Sequence, residues 1–94
     1  MICEYGNNYT LSYNDYSLTV TFSKLDKDTI DIAIWKVKQI FREKNLKYVY
    51  YDIVDCLDPT DEEFNGIKYF VKRIKDELNV DSYFDNCYGI SPKR

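Results

Sequence analysis

Between Tyr9 and Phe22 apolar and polar positions alternate without a break on either side of a short polar step. Tyr9, Leu11 and Tyr13 alternate with Thr10 and Ser12, and Leu18, Val20 and Phe22 alternate with Ser17, Thr19 and Thr21. A period of two marks strands with one buried face. The Asn14-Asp15 dipeptide predicts a two-residue turn that pairs Tyr13 with Tyr16, Leu11 with Leu18 and Tyr9 with Val20. That register puts the apolar side chains of both strands on one face and leaves a hydroxyl-rich face to solvent. A short strand over Ile2 to Tyr5 precedes the hairpin through Gly6-Asn7-Asn8.

From Asp28 the period becomes helical. Ile30, Ala33, Ile34, Val37, Ile40 and Phe41 form one stripe, with Asp28 as N-cap, Asp31 completing an approximate capping box and Asn45 suiting the C-terminal end. KYVYYDIV, residues 47–54, is β-branched and aromatic on both faces, as a central strand is. A second helix is predicted from Asp58, with Pro59 at its first position and Phe64, Ile67, Val71, Ile74 and Leu78 on the buried stripe. Residues 82–90 read as a last strand and SPKR as a tail.

The order is β-hairpin, helix, strand, helix, strand, in a single domain over residues 1–94. Helices that follow strands imply crossovers. The fold class expected is therefore α/β (α+β), a two-layer sandwich in which an N-terminal hairpin joins a βαβαβ-type order. Its mixed sheet carries both helices on one face and Ser17, Thr19 and Thr21 on the other.

Composition narrows the function classes. Thirteen basic against sixteen acidic residues give a net charge of -3, which disfavours direct nucleic-acid binding and favours a protein partner with a basic surface. No apolar run approaches the roughly 20 residues of a membrane helix, and MICEYGNN lacks the form of a signal peptide, so the expectation is a cytoplasmic chain without a membrane partner. Cys3, Cys56 and Cys87 are odd in number and lack CxxC spacing, which points to buried free thiols. One Ala beside many Lys, Ile, Tyr and Asn is the codon signature of an AT-rich genome, such as those of many phages and mobile elements.

The densest candidate chemistry is YDIVDCLDPTDEEF, residues 51–64, with Asp52, Asp55, Asp58, Asp61, Glu62 and Glu63 around Cys56. The carboxylates do not follow the spacing of a calcium loop, and no histidine is present to complete a zinc site or serve as a general base. The expectation is no metal and no cofactor. Asp58, Asp61, Glu62 and Glu63 fit a helix start, where free amides and the helix dipole stabilise negative charge. Together with Asp26, Asp28 and Asp31 they would line one edge, where acids imitate a run of phosphates. Asp52, Asp55 and Cys56 carry the alternative reading, a metal- or carboxylate-dependent enzyme.

Two aromatic positions stand off their apolar stripes. Ile32 and Trp35 lie across the first helix from its core face, beside Arg42, and Tyr69 sits on the polar side of the second helix with Lys72 and Arg73. The plain reading of such residues is cover by another segment; the functional one is a partner contact, where Trp, Tyr and Arg carry most of the binding energy. Ten tyrosines also exceed what a small core satisfies.

From Leu18 to Leu78 the order strand, helix, strand with an acidic tip, helix resembles the middle of anti-anti-sigma (STAS) domains. Those domains place an Asp-Ser/Thr-Ser-Gly run at that tip, where this chain has LDPTDEEFNG with Thr60 as the one stand-in. The departure carries over neither phosphorylation nor a partner.

The reading reached is a small non-enzymatic protein-binding module, in its most specific form a phage- or mobile-element-encoded inhibitor of a nucleic-acid-handling host complex. The residues it assigns to the partner are Ile32, Trp35, Arg42, Tyr69, Asp58, Asp61, Glu62 and Glu63. A homodimer or homo-oligomeric regulatory domain is the further alternative.

Overall fold

The structure, a computed structural model, describes residues 2–54 and 60–84. Strands β1 (Ile2–Tyr5), β2 (Tyr9–Tyr13) and β3 (Ser17–Phe22) are followed by helix α1 (Lys27–Glu43), strand β4 (Tyr48–Ile53), helix α2 (Asp61–Leu78) and strand β5 (Ser82–Phe84). They form one sheet in the order β1-β2-β3-β4-β5, antiparallel through β3 and parallel from β3 to β5. This is the two-layer α+β architecture expected, with a mixed sheet and both helices on one face.

The hairpin keeps its expected face but not its register. Tyr13 pairs with Leu18, Leu11 with Val20 and Tyr9 with Phe22, so each partner is displaced by two residues. The cause is Asn14, whose Oδ1 accepts from the backbone N–H of Tyr16 (3.0 Å) and Ser17 (2.9 Å) and from the Ser17 hydroxyl (3.2 Å). Asn14 N–H in turn donates to the Ser17 carbonyl at 3.0 Å. These bonds close a four-residue loop and release the Tyr16 carbonyl to accept from Lys47 and Tyr48 at the start of β4. A shift of two preserves the side-chain alternation, so the apolar face survives the change.

Both helices start later or earlier than the cap residues read from sequence. Asp26, not Asp28, caps α1 and accepts from Thr29 N–H at 3.1 Å. Thr60, not Asp58, caps α2 in a reciprocal capping box with Glu63; Asp58 and Pro59 lie outside the described residues. After α1, Asn45 takes the left-handed conformation at φ 55, and Leu46 N–H bonds the Phe41 carbonyl at 3.0 Å, a Schellman closure.

The core lies between the layers. Leu11, Leu18, Val20, Phe22 and Val49 from the sheet meet Ile30, Ala33, Ile34 and Val37 of α1 and Phe70 and Ile74 of α2. Phe70 stands edge-on to Phe22 (5.4 Å between centroids) and to Tyr51 (5.8 Å), the arrangement that aromatic quadrupoles favour. The α1 stripe is as expected, with Phe41 only partly buried.

The α2 stripe is rotated. Its buried residues are Gly66, Phe70 and Ile74, whereas Phe64 is exposed and Ile67, Val71 and Leu78 are only partly covered. The turn amounts to about 80° on a helical wheel. Gly66 explains it: a side chain there would meet the Leu25 carbonyl at 3.0 Å and Ile30 Cδ1 at 3.2 Å, so α2 comes close to the β3–α1 connection at this point.

Candidate functional site

Both crossovers run from the C-terminal end of a strand, so α1 and α2 lie side by side and point the same way. Their seam is a ladder of polar contacts. Asp31 accepts from Lys27 (2.9 Å), from the Tyr69 hydroxyl (2.6 Å) and from Arg73 (3.0 Å); Arg73 also donates to Tyr69 Oη (2.9 Å) and Glu77 (3.1 Å). Glu77 is bridged back to α1 by Lys38 at 2.8 Å, and its carbonyl accepts from Arg42 at 3.2 Å. The hydrogen bond from Tyr69, followed by that from Lys27, holds the Asp31 carboxyl below its ordinary range, and Lys38 and Arg73 do the same for Glu77.

This ladder relocates Tyr69. It is half-buried between the helices rather than turned outward with Lys72, because the rotation of α2 carries it toward α1. Lys27 and Arg73 stack on its ring at 5.6 and 5.7 Å. Arg42 remains exposed at its guanidinium but is tethered to Glu77.

Trp35 and Ile32 point outward as expected, at 61% and 54% exposure. They are one helical turn apart on the side of α1 that faces neither the sheet nor α2. Lys36 reaches over the indole at 6.0 Å while bridging to Glu4 of β1 at 3.6 Å. Trp35, Lys38, Gln39 and Arg42 line a shallow groove of about 280 Å³.

Of the helix-start acids, Asp26 and Glu62 share one edge, while Asp58 lies outside the described residues. Leu25, Asp26, Lys27 and Ile30 from the start of α1 share a groove of about 320 Å³ with Glu62, Asn65, Gly66 and Tyr69 of α2. Several of these charges already have work in the fold. Asp26 and Glu63 are occupied in the caps, Asp31 in the ladder, and Lys24 pairs with Asp26 at 3.8 Å. Asp28, Asp61 and Glu62 are the exposed carboxylates of that edge without such a contact among the described residues.

Asp52, a member of the alternative enzymatic site, is 1% exposed, and its Oδ1 accepts from Ile53 N–H at 2.8 Å. Its carboxylate is thus closed off from bulk solvent. Asp55 and Cys56 lie outside the described residues. Among the described residues no three Cys, Asp or Glu converge in a metal-holding group, and no helix is long and apolar enough to cross a membrane. The expectation of buried thiols fails for Cys3, which is exposed because it sits on the edge strand and points away from the helices; Cys87, like Cys56, lies outside the described residues.

The face of the sheet without helices carries a feature that the sequence reading missed. The registers place Cys3, Ser12, Thr19, Tyr50 and Tyr83 in one row across all five strands. Tyr48 joins it beside Tyr50, with ring centroids 6.5 Å apart, and Tyr50 lies 5.9 Å from Tyr83. This face is therefore aromatic at one side, not uniformly Ser/Thr. The signal was available: Val49 and Ile53 mark the core parity of β4, which leaves Tyr48, Tyr50 and Asp52 on the other side.

Comparisons with protein-family models, with curated proteins and with solved structures each gave no match. The STAS resemblance rests on element order, and Thr60, its one stand-in residue, has its hydroxyl engaged by Glu63 N–H at 3.2 Å.

Proposed function

We propose that this chain is a non-enzymatic protein-binding module that engages a larger protein through the outer face of α1, with Trp35 as the anchor. The exposure of Trp35 carries the reading. A small domain needs its large apolar residues inside, yet this indole and its neighbour Ile32 are left in solvent on a helix that is packed on its other sides. An apolar centre with a polar rim of Gln39, Lys38 and Arg42 has the anatomy of a contact patch.

The rim modifies the partner expected from net charge. Lys36, Lys38 and Arg42 stand beside Trp35 but are already engaged by Glu4 and Glu77, so the matching surface is an apolar pocket with a polar rim rather than a strongly charged one. A basic partner fits the far end of α1 and the start of α2 instead, where Asp28, Asp61 and Glu62 remain exposed. That end carries less of the argument, because Lys24 and Lys27 are interspersed with its acids.

Affinity purification from the native host with wild-type chain and with Trp35→Ala tests the proposal. The variant should keep its circular dichroism and melting temperature, since surface substitutions change stability by about 0.5 kcal/mol or less. It should lose a protein that the wild type retains, with affinity reduced about thirtyfold or more. Equal recovery of every retained protein by a folded Trp35→Ala, Ile32→Ala double variant rules this surface out.

A further inference from the structure

We infer that the face of the sheet opposite the helices, on the side of Tyr48, Tyr50 and Tyr83, is a self-association surface, on which a second copy of this chain stacks face to face. The inference is independent of the α1 patch, which lies on the other layer. It rests on the row Cys3, Ser12, Thr19, Tyr50 and Tyr83, with Ser17 and Tyr48 on one side of it and Tyr5, Thr10 and Thr21 on the other.

Charge selects the occupant. Of the strand residues that point this way, Asp52 alone has an acidic or basic side chain, and it is buried. Yet the chain carries thirteen basic and sixteen acidic side chains, and the other charged strand residue, Glu4, is on the helix side, bound to Tyr13 and Lys36. Single-stranded nucleic acid stacks well on rows of aromatic rings, but it would meet no Lys or Arg from these strands to neutralise its phosphates. A strongly charged protein would likewise find no complement.

A second copy meets a surface as neutral as its own. Two chains of net charge -3 can then approach with their charged helix layers held on opposite outer sides. A two-fold contact requires a self-complementary patch, and uncharged hydroxyls that both donate and accept satisfy that requirement. Tyr48 and Tyr83, at 46% and 49% exposure, supply apolar area that dimerisation would cover. The face measures roughly 24 by 17 Å from strand spacing and rise, the size of a weak, transient contact rather than of a permanent dimer. The association expected is therefore weak and dependent on concentration.

Sedimentation velocity of the full chain from about 1 to about 100 µM tests this. The wild type should shift from monomer to dimer with concentration. Thr19→Lys sets like charges against each other near the centre of the face and should raise the dissociation constant at least tenfold; Ser12→Lys should do the same from the adjacent strand and guards against a folding defect in the first variant. Trp35→Ala should dimerise as wild type does. A wild type monomeric throughout, a dimer that resists both lysines, or a dimer lost in Trp35→Ala would each overturn the inference. Failure of the α1 proposal would show instead in partner recovery.

Discussion

Tyr69 donates its phenolic hydrogen to Asp31 across 2.6 Å, and this bond, with Arg73 beside it, joins the two helices at their seam. Tyr69→Phe removes two hydrogen bonds, the one donated to Asp31 and the one accepted from Arg73, while keeping the ring under Lys27 and Arg73. The expected loss is about 1 kcal/mol in urea unfolding. Asp31→Ala should cost more, because it leaves the Tyr69 hydroxyl and Arg73 without their shared acceptor. A Tyr69→Phe stability equal to wild type would show that water replaces the bonds.

The same seam sets an acid limit. Asp31 is held below the ordinary carboxylate range first by the Tyr69 hydroxyl, Glu77 by Lys38, and Asp26 by the cap bond from Thr29. A carboxyl with a depressed folded pKa contributes stability that is present above its unfolded value and is lost as pH falls through its folded value. Urea midpoints should therefore hold down to about pH 4 and fall below it. The fall should be shallower in Asp31→Asn, measured against that variant's own neutral-pH midpoint. A parallel profile would remove Asp31 from the account.

Gly66→Ala sets helix propensity against packing. Alanine gains about 1 kcal/mol in a helix interior. Its Cβ would stand 3.0 Å from the Leu25 carbonyl, a backbone atom that cannot simply turn aside. Overpacking of that kind costs about 1–3 kcal/mol, so net destabilisation of about 1 kcal/mol is expected. A more stable variant would mean that the β3–α1 connection yields readily.

Asn14→Ala removes the acceptor of three turn hydrogen bonds. A loss of about 1–2 kcal/mol is expected in thermal or urea unfolding. Asn14→Asp, which keeps an acceptor oxygen in place, should recover most of it. If the aspartate is no better than the alanine, the turn is held by its backbone bond alone.

Periodicity made the fold legible where one face is apolar and the other is not. The hairpin residues and the α1 stripe meet that condition, and their buried faces follow directly. On α2 it fails, because Phe64, Ile67, Phe70, Val71, Ile74 and Leu78 spread over a wide arc, and the closest approach is made by Gly66, a residue with no apolar signal. The rotation then moved Tyr69 from the expected partner surface into the helix seam. Trp35 stayed where the wheel put it, since its opposite face is fully committed to the sheet. The tyrosine row was hidden for another reason: neighbours across strands are set by register, and register between β3 and β4 depends on a crossover that local alternation does not encode.

The sheet order repeats the chain order from β1 to β5 without a strand slipped between earlier ones. Each strand after the first thus finds its neighbour already synthesised, and the sheet can grow outward from one side as the chain lengthens. Stopping the chain after β3, or after β4, leaves a shorter sheet with the same neighbours. Deleting β2 or β3 instead would force strands that never met to pair.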